Sequence, residues 1–224
     1  MSFIKQHKKE LIIAITSVVA IVGTYYVLRH YVFNHRAKLR HTAKKDLKFW
    51  DGKKETDPAV SKELVEYWKL VGKDFTEKQM QSASTHSSYP WSSAYIGHLV
   101  NKAGYKNFSS KSTHSAYVVD AKRNRAENLK RAYWAYKPSE LKRVEVGDIL
   151  VKGRSGSKPN LDTINSGVIS HGDIVIEIKK IDGQKYAITQ GGNVSDTVKQ
   201  TKVALTNNER LLNPVQFAQL KYTE

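Results

Sequence analysis

Residues 89–104 have the sequence YPWSSAYIGHLVNKAG and contain the start, the apolar face and the end of one helix. Pro90 and the small hydroxyl residue Ser92 lie where a loop changes into a helix, and Gly104 is typical of a helix end. We therefore predict a helix over residues 91–103. Ser92 lies at its positive end, where the helix dipole favours negative charge. Four side chains form the predicted inward face, namely Ala94, Tyr95, Leu99 and Val100.

Two further helices are predicted around this segment. Asp57-Pro58 is typical of an N-cap followed by proline in the first turn, and Gly72 is expected to end the helix that begins there. A polar, basic stretch over residues 115–135 predicts the other helix. All three helices precede the part of the chain in which strand patterns appear.

The sequence pattern in the second half of the globular region is typical of an antiparallel sheet. Asp182-Gly183 separates two strand-like runs and predicts a two-residue hairpin. Helices followed by such a sheet predict an α+β fold. Apolar residues indicate strands within residues 144–151, 174–178, 186–188 and 203–205.

Composition limits the chemistry that is available to this protein. The chain has 224 residues, no cysteine and a formal net charge of +16. The absence of cysteine excludes disulfides and thiolate metal sites. No predicted helix carries a His-x-x-x-His pair, so we expect neither a metal nor a cofactor.

An uncharged apolar run near the N-terminus predicts a membrane anchor. Residues 11–28 carry no charge and, at about 1.5 Å per residue, nearly span a hydrocarbon core of roughly 30 Å. A cleaved signal peptide is the alternative. The predicted organisation is a basic N-terminal tail over residues 1–10, a transmembrane helix over 11–28, a basic juxtamembrane linker over 29–56 and a globular domain over 57–224.

The positive charge predicts an acidic partner. Anionic lipid headgroups suit the basic linker, which would lie against the bilayer. Nucleic acid and acidic cell-wall polymers are the two other candidates. The basic residues that follow the predicted span would, by the charge rule alone, place the globular domain in the cytoplasm.

Three segments resemble the NlpC-type and CHAP cell-wall peptidases, which are papain-like enzymes. They are Tyr-Pro-Trp-Ser-Ser-Ala-Tyr-Ile at residues 89–96, Val-Gly-Asp-Ile-Leu at 146–150 and Ser-His-Gly-Asp-Ile-Val at 170–175. Four short pieces, Pro-Trp-Ser-Ser-Ala-Tyr at 90–95, Thr-His-Ser-Ala-Tyr at 113–117, Ser-His-Gly-Asp-Ile-Val at 170–175 and Gly-Gly-Asn-Val at 191–194, are similar to an NlpC-like group in which serine replaces the catalytic cysteine. The resemblance implies a papain-like domain of helices packed on an antiparallel sheet.

The same resemblance implies a catalytic site. Ser92 would be the nucleophile and His171 its general base, with Asn193 orienting the imidazole. The predicted hairpin places His171 opposite Val194, so Asn193 would need a bulge at residues 191–192 to reach it, and Gln190 is the fallback. In the alternative interpretation, Ser92 is only a helix N-cap.

Four residues are candidates for substrate binding, namely Trp91, His114, Asp173 and Gln190. The alternative for His114 is a helix-start residue without a special role. Asp173 follows His171 on the same strand face, so it is either a partner of that histidine or a solvated residue at the rim.

Taken together, these expectations predict that the protein is a membrane-anchored peptidoglycan hydrolase, which cleaves an amide bond through Ser92. Its globular domain is expected on the periplasmic or extracellular side. A virion membrane is the location expected if the protein is viral. Two alternatives remain, namely a catalytically inactive cell-wall-binding or virion structural protein, and a membrane-tethered nucleic-acid-binding protein.

Overall fold

A computed structural model describes residues 34–223, in which a layer of helices packs on one six-stranded sheet. The predicted tail over residues 1–10 and the predicted transmembrane helix over 11–28 lie outside the described residues. Within residues 34–223, no helix is both long enough and apolar enough to cross a bilayer. The α+β class is confirmed.

The helices all precede the sheet, apart from one short 3-10 turn at Pro138–Glu140. Each described helix of three or more turns has buried aromatic or aliphatic side chains, and the helices pack through them. The helices are α1 (His35–Trp50), α2 (Pro58–Lys69), α3 (Glu77–Met80), α4 (Ala83–Ser88), α5 (Ser92–Ala103) and α6 (His114–Ala126).

Neighbouring strands of the sheet pair antiparallel throughout. Their spatial order is β1-β6-β2-β3-β4-β5, so the last strand of the chain lies between the first two. The strands are β1 (Tyr133–Tyr136), β2 (Ile149–Gly153), β3 (Ser170–Ile181), β4 (Gln184–Gly191), β5 (Lys199–Leu205) and β6 (Gln216–Tyr222).

Three local predictions are confirmed. The Asp57 side chain accepts a hydrogen bond from the Ala59 N–H and caps α2. Helix α5 ends at Gly104, whose positive φ of 81° gives the left-handed end that favours glycine. At the β3–β4 turn, Asp182 and Gly183 both have positive φ, as a two-residue hairpin of this kind requires.

The predicted linker over residues 29–56 contains a helix that belongs to the core. Leu39, Ala43 and Trp50 of α1 are fully buried, and the ring of Trp50 stacks on that of Trp91 with 4.8 Å between centroids. The sequence did not predict this helix as part of the core, because its few apolar side chains are widely spaced among many basic ones. Helix α1 is therefore part of the packed core together with residues 57–223.

The helix predicted over residues 115–135 is too long. Helix α6 ends at Ala126, and Tyr133–Tyr136 form β1, whose partner is β6. Neither β1 nor β6 was predicted, because their pairing joins segments about eighty residues apart and has no local signal. In the predicted strand over 144–151, Val144 and Val146 are buried but β2 begins only at Ile149.

The sheet separates two apolar clusters. On one face, Ile149 and Val151 of β2 belong to the main core shared with the helices. On the other face, Leu150 and Val175 belong to a smaller cluster. Gly172 pairs with Val151 and so takes a helix-facing position, whereas the neighbouring positions of β3 take the outer face.

Candidate functional site

Ser92 is the first residue of α5 and is almost completely buried. The first N–H groups of a helix lack intrahelical acceptors, and the N-cap residue, Trp91, makes no side-chain hydrogen bond to them. The Ser92 hydroxyl therefore lies beside backbone donors that can face a developing negative charge.

The hydroxyl of Ser92 is hydrogen-bonded to His114, the first residue of α6. The distance from Ser92 Oγ to His114 Nε2 is 2.7 Å. The other ring nitrogen, Nδ1, lies 2.5 Å from the hydroxyl oxygen of Tyr117, three residues later on the same helix. These contacts form a buried chain from the serine through the imidazole to the phenol.

Electrostatics keep both rings of this chain neutral at pH 7. Burial lowers the pKa of His114 well below its ordinary value, and the nearby charges of His171 and Arg154 lower it further. Burial also raises the pKa of Tyr117, with a contribution from the Asp173 carboxylate. A neutral imidazole that donates from Nδ1 to the Tyr117 oxygen has a free lone pair on Nε2, which can accept the serine proton.

His171 and Asp173 form a second pair next to the first. His171 Nε2 lies 2.9 Å from Asp173 Oδ1, and the centroids of the His114 and His171 rings are 5.3 Å apart. His171 and Asp173 are buried, as Ser92 and His114 are, with slightly more of their surface exposed.

The predicted hydrogen bond between Ser92 and His171 does not occur among the described residues, where His114 takes that position instead. The physical reason is strand alternation. His171 pairs with Lys152 on the outer register of the sheet, while Gly172 takes the helix-facing position. A Cβ atom at Gly172 would collide with the Tyr117 hydroxyl and lie 2.9 Å from His114 Nδ1. Glycine at this position thus admits the His114–Tyr117 pair.

The predicted hydrogen bond between Asn193 and His171 is not formed among the described residues, although the register of β3 and β4 shifts in the direction that the prediction needed. Pairs up to Glu177↔Ile188 follow the predicted register, and from Val175↔Thr189 onward the pairing shifts by one residue. The bulge lies on β3 rather than at residues 191–192. Strand β4 ends at Gly191, and within residues 34–223 Asn193 makes no hydrogen bond to His171, whose Nε2 bonds to Asp173.

Trp91 belongs to the core and not to a substrate surface. Its ring is fully buried and its Nε1–H donates to Glu55 Oε2 at 2.7 Å. A side chain without exposed surface makes no contact with a ligand in this arrangement, so the substrate-binding prediction for Trp91 is corrected.

Gln190 is also a core residue. It is fully buried, and its side-chain amide donates to the Ala43 carbonyl at 2.8 Å and to the Tyr95 hydroxyl at 2.7 Å. Its side-chain oxygen accepts from Gln200. These bonds satisfy the amide without a substrate and without His171.

The loop between β2 and β3 crosses the start of α6. The hydroxyls of Thr113 and Ser115, on either side of His114, donate to the Ser166 carbonyl at 3.1 Å and 2.7 Å. This loop therefore covers the end of the helix that presents the imidazole.

A family model described as "Uncharacterized protein conserved in bacteria (DUF2272)" matches residues 49–222. The chain belongs to this family. The matched residues include Ser92, His114, Tyr117 and the His171–Asp173 pair. Neither curated proteins nor solved structures give a match.

Sequence reasoning missed Tyr117 and gave His114 a lesser role. The available signal was the spacing of the two residues, because side chains three positions apart on a helix lie side by side. Within residues 34–223, no group of three histidine, aspartate or glutamate side chains is arranged to hold a metal ion.

Proposed function

We propose that this protein is a serine-dependent hydrolase that forms an acyl-enzyme on Ser92, with His114 as the general base. The observation that carries the proposal is the 2.7 Å contact between Ser92 Oγ and His114 Nε2 at the start of α5. A nucleophile within hydrogen-bonding reach of a base, itself oriented by a third group, is the geometry that nucleophilic catalysis requires.

The proposed reaction proceeds in two halves. As Ser92 Oγ attacks the substrate carbonyl, its proton passes to His114 Nε2, and the carbonyl oxygen takes the negative charge beside the N–H groups of α5. The protonated imidazole then gives this proton to the leaving amine when the carbon–nitrogen bond breaks. Water repeats the sequence on the ester and releases the acid.

Tyr117 and Asp173 assist the imidazole at the moment when it is charged. The Tyr117 oxygen accepts from Nδ1 and fixes the ring, and the Asp173 carboxylate supplies negative charge close to Tyr117. In this proposal the His171–Asp173 pair lies next to the site. The base assignment therefore moves from His171 to His114.

The proposed substrate is an amide bond of peptidoglycan, and the proposed fold relationship is to papain-like NlpC-type domains. The resemblance of residues 90–95, 146–150, 170–175 and 191–194 supports both. The nucleophile at a helix start and the following antiparallel sheet agree with that relationship. Residues 11–28 would anchor the protein in the membrane, and peptidoglycan chemistry requires the domain on its outer side.

The test uses the full-length chain in detergent, a fluorophosphonate probe and purified sacculi. We expect the probe to label Ser92 and the wild type to release soluble muropeptides. Ser92→Ala and His114→Asn should each lower the rate at least about a thousandfold. Ser93→Ala is the matched control, because this neighbouring hydroxyl donates to the Lys111 carbonyl and is not bonded to His114.

The variants also decide which histidine is the base. If His171→Ala abolishes labelling while folded His114→Asn retains it, the assignment to His114 is wrong. Circular dichroism verifies that each variant is folded. If the wild type is neither labelled nor active but sediments with sacculi, a binding protein without catalysis replaces the proposal.

A further inference from the structure

One face of α1 carries exposed basic side chains at helical spacing. Leu39, Ala43 and Trp50 are fully buried on the side of this helix that packs against the core. At 3.6 residues per turn, four exposed side chains are centred on the opposite side. They form what we call the basic face, namely His41, Lys44, Lys45 and Lys48.

The lysines of the basic face have no acidic partner in the described part of the chain. Within residues 34–223, none of the three forms an ion pair. The carboxylate of α1 itself, that of Asp46, is turned to the core and lies 3.2 Å from His98 Nε2. Lys44 and Lys48 are four residues apart, so their like charges repel each other along the helix. An anionic surface would relieve this repulsion.

Helix α1 is fixed to the rest of the domain on its buried side. Its Ala43 carbonyl accepts a hydrogen bond from Gln190 of β4 at 2.8 Å, and its Asp46 contacts His98 of α5. At its end, the ring of Trp50 stacks on that of Trp91 beside the start of α5. A partner that holds the basic face therefore also fixes the orientation of α5 and of the sheet.

The place of α1 in the chain favours a membrane as the anionic surface. Residues 29–34 alone separate α1 from the uncharged run over 11–28 that predicts a transmembrane helix. Even when fully extended, this connection reaches at most roughly 25 Å. A bilayer surface can contact the whole face of a 16-residue helix, which is about 24 Å long, and anionic headgroups attract lysines that lie close to them.

We propose that the basic face of α1 docks on anionic phospholipid headgroups and so fixes the orientation of the globular domain on the membrane. The domain would then lie against the bilayer with α1 underneath, rather than rotate freely about its anchor. This docking does not depend on whether Ser92 reacts.

The test uses the full-length chain in lipid nanodiscs. Because the chain has no cysteine, His41→Cys introduces a single thiol in the middle of the basic face, and an environment-sensitive fluorophore is attached to it. Discs of phosphatidylcholine are compared with discs that also contain phosphatidylglycerol. We expect the emission to rise and to shift to shorter wavelength only in the anionic discs, and added salt to reverse the change.

Charge reversal identifies the groups responsible. Lys44→Glu combined with Lys45→Glu should lower the ratio of docked to undocked domain at least about tenfold, and the milder pair Lys44→Gln and Lys45→Gln should lower it less. Lys62→Glu combined with Lys78→Glu is the matched control, since it makes the same change of net charge at exposed positions of α2 and α3. Circular dichroism verifies that each variant is folded.

An equal signal in the two kinds of disc, or an equal loss in the control variant, would overturn the proposal. A signal that appears with soluble DNA or an acidic wall polymer, but not with phosphatidylglycerol, would overturn it in favour of that other partner. Labelling of Ser92 by the fluorophosphonate probe is measured separately, so a failure of docking and a failure of the proposed chemistry are distinguishable.

Discussion

Replacing Gly172 by alanine should damage the site through a single added methyl group. The strand conformation of Gly172 accepts any L residue, since its φ is not positive. The obstacle is space, because the new Cβ would collide with the Tyr117 hydroxyl and lie 2.9 Å from His114 Nδ1. These two atoms are joined by a 2.5 Å contact, so the methyl group would separate them.

The expected cost follows from overpacking. Forcing a methyl group into a filled core usually lowers the free energy of unfolding by about 1–3 kcal/mol. Displacing a catalytic group by about 1 Å can slow a reaction by about a hundredfold. We therefore expect Gly172→Ala to lower the free energy of unfolding in urea by about 1–3 kcal/mol. We also expect it to slow the labelling of Ser92 by about a hundredfold.

A double-mutant cycle makes the explanation specific. Tyr117→Phe removes the colliding hydroxyl, so Gly172→Ala should be less destabilising in that background by at least about 1 kcal/mol. Gly167→Ala is the control, because a Cβ there has Asn165 Oδ1 as its nearest neighbour at 3.4 Å. Wild-type stability of Gly172→Ala, or additive effects of the two substitutions, would refute the steric argument.

Two further predictions concern buried polar groups. Burial raises the pKa of the Asp148 carboxyl from 3.8 to about 6, so this group binds its proton more tightly in the folded state. Its contribution to stability should be complete below pH 3.8 and be lost as the pH rises to about 6, so urea unfolding of Asp148→Asn should lack that part of the pH slope. Equal slopes in both proteins would contradict this. Gln190→Leu should cost at least about 1–3 kcal/mol because the Ala43 carbonyl and the Tyr95 hydroxyl lose their donor, while the folded fraction should label Ser92 at the wild-type rate. Slower labelling of that fraction would indicate that Gln190 contributes to the candidate site.

The sequence alone predicted the features that depend on neighbouring residues. The Asp57 cap, the glycine end of α5 and the Asp182-Gly183 turn each follow from a local preference of backbone or side chain. The position of Ser92 at a helix start belongs to the same class. Such features hardly depend on what the rest of the chain does.

Contacts between segments far apart in the chain could not be predicted from the sequence. Strand β6 lies between β1 and β2, although about eighty residues separate it from β1. Helix α1 appeared to be a basic linker because only three of its side chains are buried, and they contact segments far along the chain. Neither arrangement leaves a periodic signal strong enough to predict it.

The contact between Ser92 and His114 shows the same division within one site. The sequence determined that a serine begins a helix and that two histidines, at positions 114 and 171, stand at the start of later elements. Only the tertiary structure decided between these histidines. Strand alternation places His171 on the outer register, and the missing side chain of Gly172 opens the inner one, so the packing of α6 brings His114 to the serine.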